Sequence, residues 1–210
     1  MKILNIFTLS TTAESFFDGQ FKYLSDAGYD IWFVSASEEP KEFVRENQLT
    51  YRQFDIRRSI SPFADLRTTV ALRNFMRRER FDAVIGHTPK GAMLAMFAAK
   101  LAGIKTRIYY RHGLIYTTAS GLKRVILKIV EQLTAACATT IVNVSPSLSK
   151  LADRDKLNSD AKQSIIGYGT CGGIDTIDTF NPDKVSTDTV PALRHTLGIP
   201  DVAFVVGFCG

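Results

Sequence analysis

Apolar positions along this chain follow two alternating periods. Short, nearly continuous apolar runs lie at Lys2 to Leu9, Asp30 to Ser37, Thr50 to Ile56, Phe81 to Gly86, Lys105 to Tyr110, Thr139 to Val144 and Ser164 to Ile166. Runs of this length suit strands buried on both faces. Between them, apolar residues recur every three or four positions, the period of an amphipathic helix. The first helix is expected from Thr11 to Ala27, with Phe16, Phe17, Phe21 and Leu24 on one face, Thr11 and Glu14 as a capping box and Gly28 as its close. A short helix follows from Pro40 to Asn47, and Pro62 starts another that runs to Arg80 and turns Phe63, Leu66, Val70, Leu72, Phe75 and Met76 toward the core. Pro89 opens a small-residue helix that ends at Gly103. A helix from Ala119 or Ser120 to Ala136 is apolar at Leu122, Val125, Ile126, Ile129, Val130 and Leu133, and Ser145-Pro146-Ser147 opens a further short one.

No hairpin dipeptide joins neighbouring strands, so the seven alternations read as βαβ units. The expected fold is α/β: a Rossmann-like, doubly wound parallel sheet of about seven strands with helices on both faces. The tail is organised differently. Val185 to Val190 is polar and Thr-rich, Pro191 to Leu197 is a short helix, and Ala203 to Gly210 reads as a strand entering a glycine turn. This predicts an N-terminal domain over 1–184, a linker over 185–200 and, at 201–210, the first strand of a second α/β domain cut short.

Composition narrows the class. With 45% apolar and 22% charged residues the chain is that of an ordinary globular protein. No apolar run reaches the ~18–20 residues that span a bilayer, and the start reads as a strand, not a signal peptide. Cys137, Cys171 and Cys209 are widely spaced, and His87, His112 and His195 have no ligand spacing. That fits a reducing cytoplasm and predicts no metal site. The net charge of +5 is concentrated at Arg57, Arg58, Arg67, Arg73, Arg77, Arg78 and Arg80, and at Lys123, Arg124 and Lys128. These are either solvated helix faces or a surface for an anionic membrane or a phosphorylated acceptor. Nucleic acid is not expected, since exposed aromatics do not interleave the basic residues.

Three constellations carry candidate chemistry. His112, between Arg111 and Gly113, sits where a parallel strand ends, the edge at which open α/β sheets gather ligands. His87, Thr88 and Lys90 lie where a strand feeds a helix N-terminus, a ready anion site. The first strand-to-helix loop, Thr8 to Ser15, offers the hydroxyl of Thr12 and the carboxylate of Glu14. It lacks G-x-G-x-x-G, which argues against a NAD enzyme. Plain structural roles stand beside each: a histidine satisfied by loop backbone, a capped helix with a solvated lysine, and Ser145 as an N-cap. A fourth stretch, Gly167-Tyr168-Gly169-Thr170-Cys171-Gly172-Gly173-Ile174-Asp175 followed by Phe180-Asn181-Pro182, has too many glycines for a helix or strand interior.

That glycine-rich run, with Phe-x-Pro after it, resembles the domain-closing segment of family-4-type, GT-B glycosyltransferases. In the same order, Arg111-His112-Gly113, the His87 to Ala92 helix start and Val144-Ser145-Pro146-Ser147 resemble that family's His-Gly, Pro-Lys helix and Val-Ser-x-Ser. The first loop departs from it, because the Gly-Gly pair of many relatives is missing. The resemblance implies the acceptor-binding half of a retaining glycosyltransferase of capsular or lipopolysaccharide synthesis, cytoplasmic and at the inner membrane face. It implies a nucleotide-diphosphate sugar donor held by a second domain, a glycan or lipid-linked acceptor, and no bound metal or cofactor. His112 would contact the donor sugar and support charge in an oxocarbenium-like transition state. Thr12, Glu14, His87, Thr88, Lys90, Arg111 and Gly113 would face acceptor or substrate. Two other readings stay open: a non-hydrolysing nucleotide-sugar epimerase half, and a sugar- or nucleotide-binding module without catalysis.

Overall fold

The computed structural model describes residues 1–17, 19–173, 176–177, 180–186 and 189–207. Seven strands form one parallel sheet: β1 (Lys2–Ile6), β2 (Asp30–Ser35), β3 (Thr50–Gln53), β4 (Ala83–His87), β5 (Thr106–Arg111), β6 (Thr140–Asn143) and β7 (Gln163–Ile165). Their order is β3-β2-β1-β4-β5-β6-β7, so the winding reverses between β1 and β4. The described helices are α1 (Ser10–Phe16), α2 (Gln20–Asp26), α3 (Lys41–Glu46), α4 (Pro62–Glu79), α5 (Pro89–Ala102), α6 (Gly121–Cys137), α7 (Pro146–Arg154) and α8 (Thr189–Thr196). This is the doubly wound sheet that the alternating pattern predicts.

Of three core clusters among the described residues, the two larger lie on opposite sides of the sheet. Strand alternation sends Leu4 and Ile6 to one face, where they meet Val34, Val84, Tyr109 and Ile141 together with Leu72, Met76 and the alanines of α5. It sends Ile3 and Phe7 to the other, against Ala13, Phe17, Phe21, Phe33 and Phe43. Asn5 is placed between Ile3 and Phe7 on this second face and is buried, as is His87. Gly86 lets α5 lie close on the sheet: a Cβ there would stand 2.7 Å from Ala92 Cα.

Several local expectations are corrected. The first helix is two helices, because Gly19 has φ 78°, which no right-handed helix continues. The capping box fails as well: α1 begins one residue earlier, after Leu9, and no side chain caps it. On α4, Leu72, Phe75 and Met76 are buried but Phe63, Leu66 and Val70 are exposed, Phe63 at 89%. The inner face of α4 is completed instead by Thr68 and Thr69, whose hydroxyls are satisfied by the carbonyls of Asp55 and Asp65. Ile166, expected in the last buried strand, is exposed just beyond β7.

The chain divides into two compact units, Met1–Gly172 and Gly173–Gly210. In the second, α8 starts at Thr189, two residues before the expected helix, and Arg194 donates to the carbonyls of Pro200, Asp201 and Ala203. Residues 203–207 form no strand, having no sheet neighbour to bond. Ile174, Asp175 and 208–210 lie outside the described residues.

Candidate functional site at the carboxyl ends of the central strands

The candidate residues collect at the winding reversal, the crevice where open α/β sheets bind ligands. β4 ends in His87, which is 1% exposed and whose ring stacks on Phe7 with centroids 4.0 Å apart and planes 3° off parallel. The rings of Phe17 and Tyr110 close round it at 4.7 and 5.4 Å. His87 pairs in register with Tyr110 on β5, so Tyr110 and, two positions on, His112 continue on the same face. His87 Nε2 lies 3.2 Å from Asn5 Oδ1, and His87 Nδ1 lies 3.3 Å from His112 Nε2. The second ring nitrogen of His112, Nδ1, is 3.0 Å from Cys171 Sγ.

Burial sets the charge of this cluster. It holds the His87 pKa well below the ordinary histidine value, with the neighbouring His112 adding to the effect, and it lowers His112 to about 4. Both rings are therefore neutral at pH 7. Burial also raises the Cys171 thiol to about 11, so it is protonated and no nucleophile. Tyr110 donates from its hydroxyl to the carbonyls of Thr170 and Cys171, at 3.2 and 3.3 Å, and so fastens the glycine-rich segment against β5.

Arg111 is placed elsewhere. Its neighbours Tyr110 and His112 point to one face of the sheet, so alternation turns its side chain to the other. There its guanidinium is fully buried and donates to Glu131 at 2.9 Å, Asn143 at 3.2 Å and Asn158 at 2.9 Å. Tyr109 donates to the second oxygen of Glu131 at 3.0 Å. All three donor nitrogens of Arg111 are engaged in a buried network that ties β5 to α6 and β6. Gly113 follows on the loop, with open space around its α-carbon.

The helix start at α5 is held by a clasp of threonines. Thr88 Oγ1 donates to the His87 carbonyl at 2.5 Å and accepts from Thr8 Oγ1 at 2.7 Å and from the Thr8 amide at 3.1 Å. Thr8 Oγ1 in turn accepts from the Gly91 amide at 3.2 Å. Thr88 has φ 59°, a costly conformation for a β-branched residue. Lys90, two residues on, forms a 2.5 Å ion pair with Asp65 of α4, and both side chains are largely buried. Thr12 is half-buried and Glu14 exposed on α1. Ser145 caps α7 by accepting from the Leu148 amide at 3.2 Å, the plain structural role.

Beside the Lys90–Asp65 pair, α4, α5 and α6 enclose a groove of about 650 Å³. Its walls are Ile60, Leu66, Met93, Phe97, Ile126 and Val130. Among the described residues no His, Cys, Asp and Glu side chains group as a metal ion would require. Asn5 and Glu131 were not candidates from sequence, and Thr8 and Cys171 were so only as members of the first loop and the glycine-rich run. A polar Asn5 in an apolar strand flanked by Ile3 and Phe7 is the one visible signal, because buried polar groups need partners.

Comparison with known proteins gives the family. The Glycosyl transferase 4-like domain family matches residues 12–169. The capsular polysaccharide biosynthesis glycosyltransferase CapM of Staphylococcus aureus is 27% identical over 213 residues, covering 100% of this chain and 54% of that protein. The UDP-Gal:alpha-D-GlcNAc-diphosphoundecaprenol alpha-1,3-galactosyltransferase of Escherichia coli is 22% identical over 152 residues, covering 71% of this chain and 39% of that one. A crystal structure of Anabaena HepE in complex with UDP and glucose superposes with a TM-score of 0.64 at 15% identity, over 94% of this chain and 50% of HepE. This chain thus spans about half the length of these relatives. It belongs to the Glycosyl transferase 4-like domain family, with the Rossmann-like half of a GT-B fold.

Proposed function

We propose that the chain is the acceptor-binding half of a retaining glycosyltransferase that moves a hexose from a nucleotide-diphosphate sugar to a glycan or lipid-linked acceptor. The observation that carries the acceptor side is the groove between α4, α5 and α6, mostly apolar, with Arg58, Lys90 and Lys100 among its lining. Such a site suits a molecule with an anionic head and a hydrocarbon tail. Support comes from the E. coli relative, whose name gives a diphosphoundecaprenol acceptor, and from CapM, named for capsular polysaccharide. HepE was crystallised with UDP and glucose, which supports a UDP-sugar donor.

In this reading His112 contacts the donor sugar with a neutral ring and supports the charge of an oxocarbenium-like transition state. Lys90, exchanging Asp65 for an acceptor phosphate, anchors the head group at the start of α5, where the helix dipole favours an anion. Thr88 and His87 shape that corner, and Thr12, Glu14 and Gly113 are assigned to substrate contact on the family resemblance alone. Arg111 acts from behind, by holding β5 in place. The nucleotide is taken by a second domain, no bound metal or cofactor is used, and the protein works at the inner face of the cytoplasmic membrane.

The test uses the full-length parent with a panel of nucleotide sugars and a lipid-linked acceptor, following nucleoside diphosphate release. Release that depends on acceptor is expected, and His112→Ala should lower kcat/KM by about 10²-fold or more. Release without acceptor, or an epimerised sugar, would instead favour the epimerase. Full turnover in His112→Ala would remove the role given to that residue.

A further inference from the structure

Asn5, His87, His112 and Cys171 form one hydrogen-bonded line from near the carboxyl end of β1 to the glycine-rich segment. Its polarity follows from chemistry. The oxygen of the Asn5 amide can only accept, so the His87 nitrogen facing it, Nε2, carries the ring proton. A neutral imidazole has one N–H, which leaves His87 Nδ1 as an acceptor. His112 must then donate from Nε2 to His87 Nδ1. Its remaining nitrogen, Nδ1, is an acceptor and receives the thiol proton of Cys171. One amide orientation thus settles the tautomer of two rings in series. His87 is stacked on Phe7 and almost fully buried.

We propose that Asn5 and His87 are positioning residues that fix the His112 proton on Nε2, so that His112 presents its Nδ1 lone pair to a hydroxyl-bearing substrate. Cys171 marks the position of that hydroxyl: its S–H donates where a sugar O–H would donate. His112 then acts as a hydrogen-bond acceptor, not a donor, and the glycine-rich segment that carries Cys171 must yield the place to substrate. The role given to His112 rests on the glycosyl-transfer reading, whereas the tautomer assignment stands without it.

The experiment labels histidine nitrogens in the chain and reads each tautomer by long-range proton–nitrogen correlation at neutral pH. His87 and His112 are expected as Nε2–H forms. In Asn5→Leu the acceptor is gone, an unpaired buried N–H is costly, and both rings should reverse to Nδ1–H. Asn5→Asp keeps an accepting oxygen and should restore Nε2–H in both. Cys171→Ala should leave both tautomers as they are, because the line is set from the Asn5 end. An Nδ1–H form of His112 in the unmodified chain, or a tautomer change in Cys171→Ala, overturns the assignment; these two measurements decide it even if Asn5→Leu does not fold. In the full-length enzyme, Asn5→Leu should cost about 10-fold or more in kcat with Asn5→Asp active, as a wrong histidine tautomer does elsewhere. Equal turnover in Asn5→Leu refutes the positioning role, whereas a parent without transfer activity refutes only the glycosyltransferase reading.

Discussion

Neutrality of the buried histidines has a thermodynamic cost in acid. The unfolded chain protonates His112 near the ordinary value of about 6.5, but the folded chain resists until about 4. Between these values the unfolded state binds more protons, so the His112 contribution is complete above about pH 6.5 and is lost as pH falls toward 4. Urea unfolding at pH 7 and pH 5 should show His112→Gln losing less stability than the unmodified chain over that step. An equal loss would mean that the ring is not held neutral. Arg111 gives a second prediction of the opposite kind. Arg111→Met leaves Glu131 buried without its cation and should destabilise by about 3–5 kcal/mol, with Glu131→Leu in the same chain recovering part of it. At this scale the sequence was partly legible. His112 stands out by its place at a strand end, and period-two alternation could have warned that Arg111 points away from it. Asn5 and Cys171 were not legible, because their meaning lies in a partner 82 residues away for Asn5 and 59 for Cys171.

Among the helices, α6 inverts the usual arrangement. Its buried residues are Glu131, Thr134 and Ala135, whereas Leu122, Val125, Ile126, Ile129 and Leu133 are exposed, Leu122 at 75%. Lys123 and Arg124 accompany them on the outside. An apolar stripe flanked by cations suits a helix lying in an anionic membrane interface. Val125→Glu with Ile129→Glu should keep the fold and abolish cosedimentation with phosphatidylglycerol-containing vesicles, and binding by the unmodified chain should weaken with salt. Unchanged cosedimentation in the double variant would rule out this face. No described helix is long and apolar enough to cross a membrane. The apolar period revealed that α4 and α6 exist and where they run, since Pro62, Pro89 and Gly103 punctuate the helices as their backbone chemistry demands. It could not say which stripe faces inward. On α4 a pair of threonines takes core positions because their hydroxyls find carbonyl partners, and Phe63 is left outside.

Across the first unit, the sheet order places every central candidate by a topological rule. Winding reverses between β1 and β4, and Thr8, His87, Lys90 and His112 all lie at the carboxyl ends beside that reversal. The alternation of strand and helix patterns made this architecture readable before any contact was known. What alternation could not supply was the joint between two neighbouring parts of the site. Thr88 alone separates His87, a member of the buried histidine line at the end of β4, from the helix that carries Lys90. Its hydroxyl grips the His87 carbonyl on one side and Thr8 on the other, while its backbone is held at φ 59°. The clasp holds a backbone conformation that a β-branched residue rarely adopts. A displacement at the start of α5, where Lys90 sits, is therefore tied to the imidazole pair through a single residue.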